Sequence, residues 1–183
     1  EWREIAAEFD LQTADTMSFP SVVFQGDENA LSTIKAESEK YPLRGAVRVA
    51  DELFGAQREV DDIPVPGEVW ADGALLARVG AEVGDVLDIG ELHLRVSAVL
   101  TSRPDQSIGF ASLAPTVILN IGDIGASGLI GEGSRVRYAL LVAGDEDDVT
   151  SFNDAIRDKL PEEIRVRSQE ESSERAYNAA DRA

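Results

Sequence analysis

From Leu92 to Leu100 every second residue is apolar, Leu92, Leu94, Val96, Ala98 and Leu100, and between the first of them stand His93, Arg95 and Ser97. A period of two belongs to a strand with one face on a core and the other on water. Such a strand has no stability alone and must pair. The sequence supplies a partner upstream: Gly84-Asp85 opens a hairpin, and Gly90-Glu91 suits a two-residue type II′ turn, which wants glycine first.

The section around this hairpin, residues 54–132, is richer in glycine and proline than its flanks and reads as an insertion of short strands with one short helix. Asp72 is placed to cap that helix, Leu75, Leu76 and Val79 are its buried face, and Gly80 falls where a left-handed residue ends it. Thr116 to Ile121 reads as a further strand. Between it and the alternating run lies a long polar loop, Thr101 to Ala114, which carries Ile108 and Phe110; apolar residues exposed there are candidates for contact with an apolar ligand or partner, or else they anchor the loop.

The flanks follow another grammar. Trp2, Ile5, Ala6 and Phe9 recur at helical spacing. Ser21 to Gln25 reads as a strand, Asp27 as the cap of a helix burying Leu31 and Ile34 and ended by Tyr41-Pro42, and Val47 and Val49 as the inner face of a second strand. Met17, Phe19 and Pro20, beside the first of these strands, read as core. At the other end Val136, Tyr138, Leu140 and Val142 alternate as a strand closed by Gly144, and a helix follows. Its first turn carries Asp145 to Asp148 and its stripe is Val149, Phe152, Ile156 and Leu160. Ile164 to Arg167 reads as a strand, and Ser168 with Glu171 as the capping box of a last helix through Tyr177. Each flank is thus expected to form a β-α-β unit. The expected fold is α+β with two lobes: a discontinuous α/β lobe from residues 1–53 and 133–183, and an inserted β-rich lobe from residues 54–132.

The chemistry on offer is thin. Without cysteine there is no thiolate, disulfide or thiol nucleophile, and the one histidine, His93, lies on the polar face of its strand with no Gly-x-Ser-x-Gly elbow in the chain. The run Asp145 to Asp148 lacks the ligand spacing of a calcium loop and serves better as the acidic first turn of a helix. Glycines 122, 125, 128, 131 and 133 match no phosphate-binding pattern and read as turns. No catalytic residue, metal site or cofactor is therefore expected. Thirty-five acidic against seventeen basic residues, a net charge of −18, oppose nucleic acid as a partner. No stretch has the roughly 20 apolar residues of a membrane span. A chain that opens on Glu1, with no signal series, reads as a segment of a longer protein.

Several runs carry a resemblance: Ser18-Phe19-Pro20-Ser21-Val22-Val23, Tyr41-Pro42-Leu43-Arg44-Gly45, Pro66-Gly67-Glu68-Val69-Trp70, Arg103-Pro104-Asp105, Leu113-Ala114-Pro115, Gly133-Ser134-Arg135-Val136 and Tyr138 to Gly144. In order and spacing these resemble the MacB- and FtsX-type ABC-transporter permeases, most closely the YbbP-like branch. The resemblance implies an extracytoplasmic domain on the periplasmic face of the inner membrane, between the first two transmembrane helices, with a porter-like α/β lobe and an inserted sabre-like lobe. It also implies partners: the permease's own transmembrane helices, a cytoplasmic ABC ATPase, and a hydrophobic or lipid-like substrate for export or a soluble periplasmic protein. The function it implies is coupling of ATP-driven helix motion to handling of that substrate, with no catalytic residue in the domain. An extracytoplasmic sensor or scaffold, and a soluble hydrolase built on a carboxylate pair, are the rival readings.

Overall fold

The alternating run is strand β7 (Leu92–Ser102), joined to β6 (Val86–Ile89) in an antiparallel hairpin through Gly90 and Glu91. Gly90 has φ of 60° and Glu91 does not share its positive φ, as a type II′ turn requires. The alternation ends sooner than the sequence suggests. Leu94 and Val96 face one core, but a bulge opposite Val69 and Trp70 shifts the register, after which Ala98, Val99 and Leu100 are all buried. From there each face has its own apolar cover, Val99 in the ring core and Ala98 and Leu100 in a second cluster.

The structure, a computed structural model, describes residues 1–105, 114–131 and 135–168. Its other strands are β1 (Gln12–Gln25), β2 (Glu28–Glu37), β3 (Val47–Ala50), β4 (Gln57–Val60), β5 (Glu68–Asp72), β8 (Thr116–Asn120) and β9 (Arg137–Ala143). All nine join one sheet, in the order β4-β3-β7-β5-β8-β2-β1-β6, with β9 on β1 and β6 also on β7. Because β6 pairs with both β1 and β7, strands β7, β5, β8, β2, β1 and β6 close into a ring. Closure removes the edges that an open sheet would present. Ile34 of β2, Val69 of β5, Leu87 of β6, Val96 of β7 and Leu119 of β8 fill it, and Leu75, Leu76 and Val79 of helix α2 (Gly73–Val79) belong to the same core. The helix starts and stops as the sequence predicts: Asp72 accepts the Ala74 N–H at 2.8 Å, and Gly80 takes φ of 68°.

Two pieces extend the ring. The β3–β4 hairpin continues the sheet beyond the far half of β7. At the other side β9 pairs with Gln12 to Ser18 of β1, and against that pair pack helices α1 (Trp2–Glu8) and α3 (Glu146–Arg157), with a core of their own made by Ala6, Leu11, Phe152 and Ile156. Val149 and Leu160 complete this cluster, as their helical spacing predicts. Met17 and Phe19 are buried in the ring core, whereas Pro20 is exposed.

The β-α-β unit expected over the first 50 residues is not formed. Residues 28–37 are β2, the return arm of a hairpin whose two-residue turn is Gly26-Asp27, with Gly26 at φ of 58°. Leu31 points to solvent, 57% exposed, while Ile34 is fully buried. Extended pairing with β1 on one edge and β8 on the other outweighs the local helical preference of an Ala-, Glu- and Lys-containing segment. At the other end residues 164–168 form no strand and are exposed. The sheet does not divide at residues 53 and 132 either: β5 to β8 interleave with β1 and β2 in the ring. What the two chain ends share is the smaller α1–α3 cluster. The capping box at Ser168 and Glu171 and the last helix lie outside the described residues.

Candidate functional site

The most unusual chemistry in the fold is a cluster of ionised side chains on the outer face of the ring, where β2 runs into the segment leading to β3. Strand parity sends Ile34 and Ala36 inward and Lys35 and Glu37 outward. That outer face is not wet. Tyr41, Trp70 and Ile118 form a second apolar cluster there, and the Lys35 and Glu37 side chains are 8% and 0% exposed. Ionised groups are found at such depth only when paired.

Lys35 Nζ lies 3.2 Å from Glu37 Oε1, an ion pair without hydrogen-bond geometry, and it also donates to Asp105 Oδ2. It stands 5.3 Å from the centre of the Tyr41 ring. The Tyr41 hydroxyl donates to Asp105 Oδ1 at 2.8 Å, Arg103 Nε is 3.2 Å from the same oxygen, and another guanidinium N–H of Arg103 reaches Thr116 Oγ1 at 3.0 Å. Two cations, Lys35 and Arg103, thus balance two anions, Glu37 and Asp105. Burial pulls both cations below their ordinary pKa. Burial pushes the Glu37 carboxyl up, against the pull of Lys35, and pushes the Tyr41 hydroxyl well above its ordinary value, so that it stays a donor.

Two runs singled out in the sequence meet at this cluster. Tyr41 to Gly45 packs on Arg103 to Asp105, and a Cβ on Gly45 would stand 2.8 Å from Pro104 Cβ. Residues here also reach the strands that carry the helices: Arg44 donates to the Gly144 carbonyl, just after β9, at 3.1 Å, and Ser38 exchanges hydrogen bonds with the Asp15 backbone of β1. The cluster therefore stands where the ring, the β3 approach and the α1–α3 body join. It does not suit hydrolysis. Glu37 and Asp105 do converge on Lys35, and one has a raised pKa, but Glu37 has no exposed surface for a substrate to reach.

A second feature is an open groove of about 450 Å³ between α2 and the turn from β3 to β4. Its floor is Val99, Leu100 and Thr101 of β7, one wall is Ala74 and Ala77, and the other is Leu53 and Phe54. The volume falls in the range of small-molecule sites. Phe54 is fully exposed and holds a left-handed φ of 64°.

Ile108 and Phe110, the ligand-contact candidates of the sequence, lie outside the described residues. His93 is exposed on the polar face of β7, as expected, and bonds Asp88 across the hairpin at 2.5 Å. Asp145 precedes α3, and Glu146, Asp147 and Asp148 occupy its first turn. No cluster of metal-ligating side chains occurs among the described residues. The sequence reading missed both the ion cluster and the groove. For the first a signal existed, since the Tyr41–Gly45 and Arg103–Asp105 runs both stand out.

Comparison with solved structures bears on the fold, which is similar to that of extracytoplasmic domains of two ABC-type transporters. The extracellular domain of the noncanonic ABC-type transporter YknZ from Gram-positive bacteria superposes with a TM-score of 0.55 at 10% identity, over 82% of this chain and 76% of that one. The periplasmic region of MacB from Actinobacillus actinomycetemcomitans gives 0.55 at 14% identity, over 86% and 73%. In sequence the chain is 25% identical over 164 residues to the uncharacterized ABC transporter permease YbbP of Escherichia coli (strain K12). It is thus a homologue of an ABC transporter permease, matched along 90% of its own length but spanning only 19% of the permease's. No family model matches it.

Proposed function

We propose that the chain is the extracytoplasmic domain of an ABC transporter permease, and that it couples movements of flanking transmembrane helices to handling of a hydrophobic or lipid-like substrate outside the membrane. A separate cytoplasmic ATPase powers those movements. The observation that carries this reading is the match of nearly the whole chain to a fifth of a permease, joined to the fold of transporter domains that lie outside the membrane. The packing of α1 on α3 in one small core on β1 and β9 supports it, because displacement of that core is passed to the ring as a body. Ile108 and Phe110 keep their place in this reading as substrate contacts: replacing both with serine weakens transport and leaves the melting temperature unchanged.

The test is made on the full-length gene product. It should fractionate with the membrane, carry several hydrophobic spans beyond this segment, and co-purify with an ABC ATPase. A product with a single span and no ATPase would make the domain a sensor or scaffold instead.

A further inference from the structure

We propose that the groove between α2 and the β3–β4 turn binds the hydrocarbon chain of a small cationic amphiphile. The inference rests on the reading of the domain as part of a transporter of hydrophobic molecules, and it names the place and the charge of the ligand. Two observations converge. Apart from Thr101 on the floor and Gln57, the groove is lined by apolar residues, with Ala74 and Ala77 exposed on the helix side and so leaving room for a chain. Phe54 stands at its rim with its whole side chain in water, although a Phe gains most by burial. It also holds a backbone conformation that a residue with a Cβ rarely adopts. The φ serves the turn, in which the Gly55 N–H bonds the Glu52 carbonyl at 3.0 Å with Phe54 in third place, but the exposed ring packs on nothing. A ring turned onto an occupant would bury itself and the occupant together.

The charge of the occupant follows from the rim. Asp51 and Glu52 are exposed in the same turn as Phe54. Arg58 offsets Asp51 at 3.4 Å, but Glu52 has no ion-pair partner among the described residues. With a net charge of −18 on the chain, an anionic head group is repelled and a cationic one is drawn to the rim.

The experiment titrates the 183-residue chain with dodecyltrimethylammonium below its micelle concentration, followed by calorimetry. Saturable binding at one site is expected. Shortening the probe by two methylenes should weaken it roughly fifteenfold, at about fourfold per buried methylene, and dodecyl sulfate should bind far less well than the cation. Ala77→Phe fills the groove from an exposed position and should reduce affinity at least about tenfold. Phe54→Gly removes the ring while relieving the left-handed φ, so it should bind about fivefold more weakly with a melting temperature equal to or above that of the parent. This second variant keeps the test decisive should Ala77→Phe fold poorly. Absence of saturable binding, binding indifferent to both substitutions, or equal binding of the two head groups would overturn the proposal. Any of these results would leave the transporter reading to its own test, co-purification with an ATPase.

Discussion

Replacing Lys35 with methionine keeps the length and apolar stem of the side chain and removes only its charge. Glu37 is then a wholly buried carboxylate without its counterion. At 3.2 Å and an effective dielectric constant of about 20, the lost attraction is about 5 kcal/mol. Breaking one side of a buried pair costs about 3–5 kcal/mol in proteins generally, which agrees. Asp105 suffers less, since it is half-exposed and keeps Tyr41 and Arg103. For a chain of this size about 3–4 kcal/mol lowers the melting temperature by roughly 10 °C. The loss must depend on pH in one direction. Burial already holds the folded Glu37 pKa above its unfolded value, and without Lys35 it rises further. Between the unfolded pKa of about 4.3 and the raised folded one, the native state holds a proton that the unfolded state has released, so stability falls as pH climbs through that window. Thermal and urea unfolding followed by circular dichroism at pH 5 and pH 7.5 should therefore show Lys35→Met nearer to the parent at the lower pH. The double variant Lys35→Met, Glu37→Leu, with no charge left to bury, should recover to within about 1 kcal/mol of the parent. A single variant that loses under about 1 kcal/mol at pH 7.5, or a loss equal at both pH values, would refute the account of the cluster given above.

Gly45→Ala combines a left-handed φ of 75° with a Cβ 2.8 Å from Pro104, whereas Gly67→Ala has φ of 86° and nothing within 4 Å. In urea unfolding the first should lose about 1–3 kcal/mol more than the second, whose loss is the left-handed penalty of about 1–2 kcal/mol alone. Phe152→Ala empties the core between α1 and α3 and should cost about 3–5 kcal/mol against unfolding of that body. Hydrogen exchange should then lose protection in α1 and α3 while β5, β7 and β8 of the ring remain protected; equal loss throughout would mean that the two cores melt as one.

The parts of this fold that were legible in the sequence are those whose local chemistry and final environment agree. Asp72 and Gly80 bracket α2, Gly90 makes its turn, and the 3–4 spacing of Val149, Phe152 and Ile156 faces one core. Illegible parts are those where long-range pairing sets the pattern. In β2 the residues Ile34, Lys35, Ala36 and Glu37 are buried in succession, because each face has its own apolar cover, so the period of two vanishes and helix formers remain. The cue that was available is Gly26-Asp27, a two-residue hairpin turn. Misreading that segment also hid the ion cluster, since Lys35 and Glu37 share a face in a strand but not in a helix. The groove had no local signature, because its walls come from three segments that the pairing of β3 and β5 with β7 brings together.

Strand β1 belongs to two bodies at once: its first half carries β9 and the terminal helices, and its second half is a stave of the ring. Fourteen residues at about 3.3 Å each give it a reach of roughly 46 Å. Held by ladders on both edges, it has the geometry of a lever arm, in which a tilt of about 10° at the root would displace the Gly26 tip by about 8 Å. A small angular change of the α1–α3 body would thus be enlarged at the Gly26 turn.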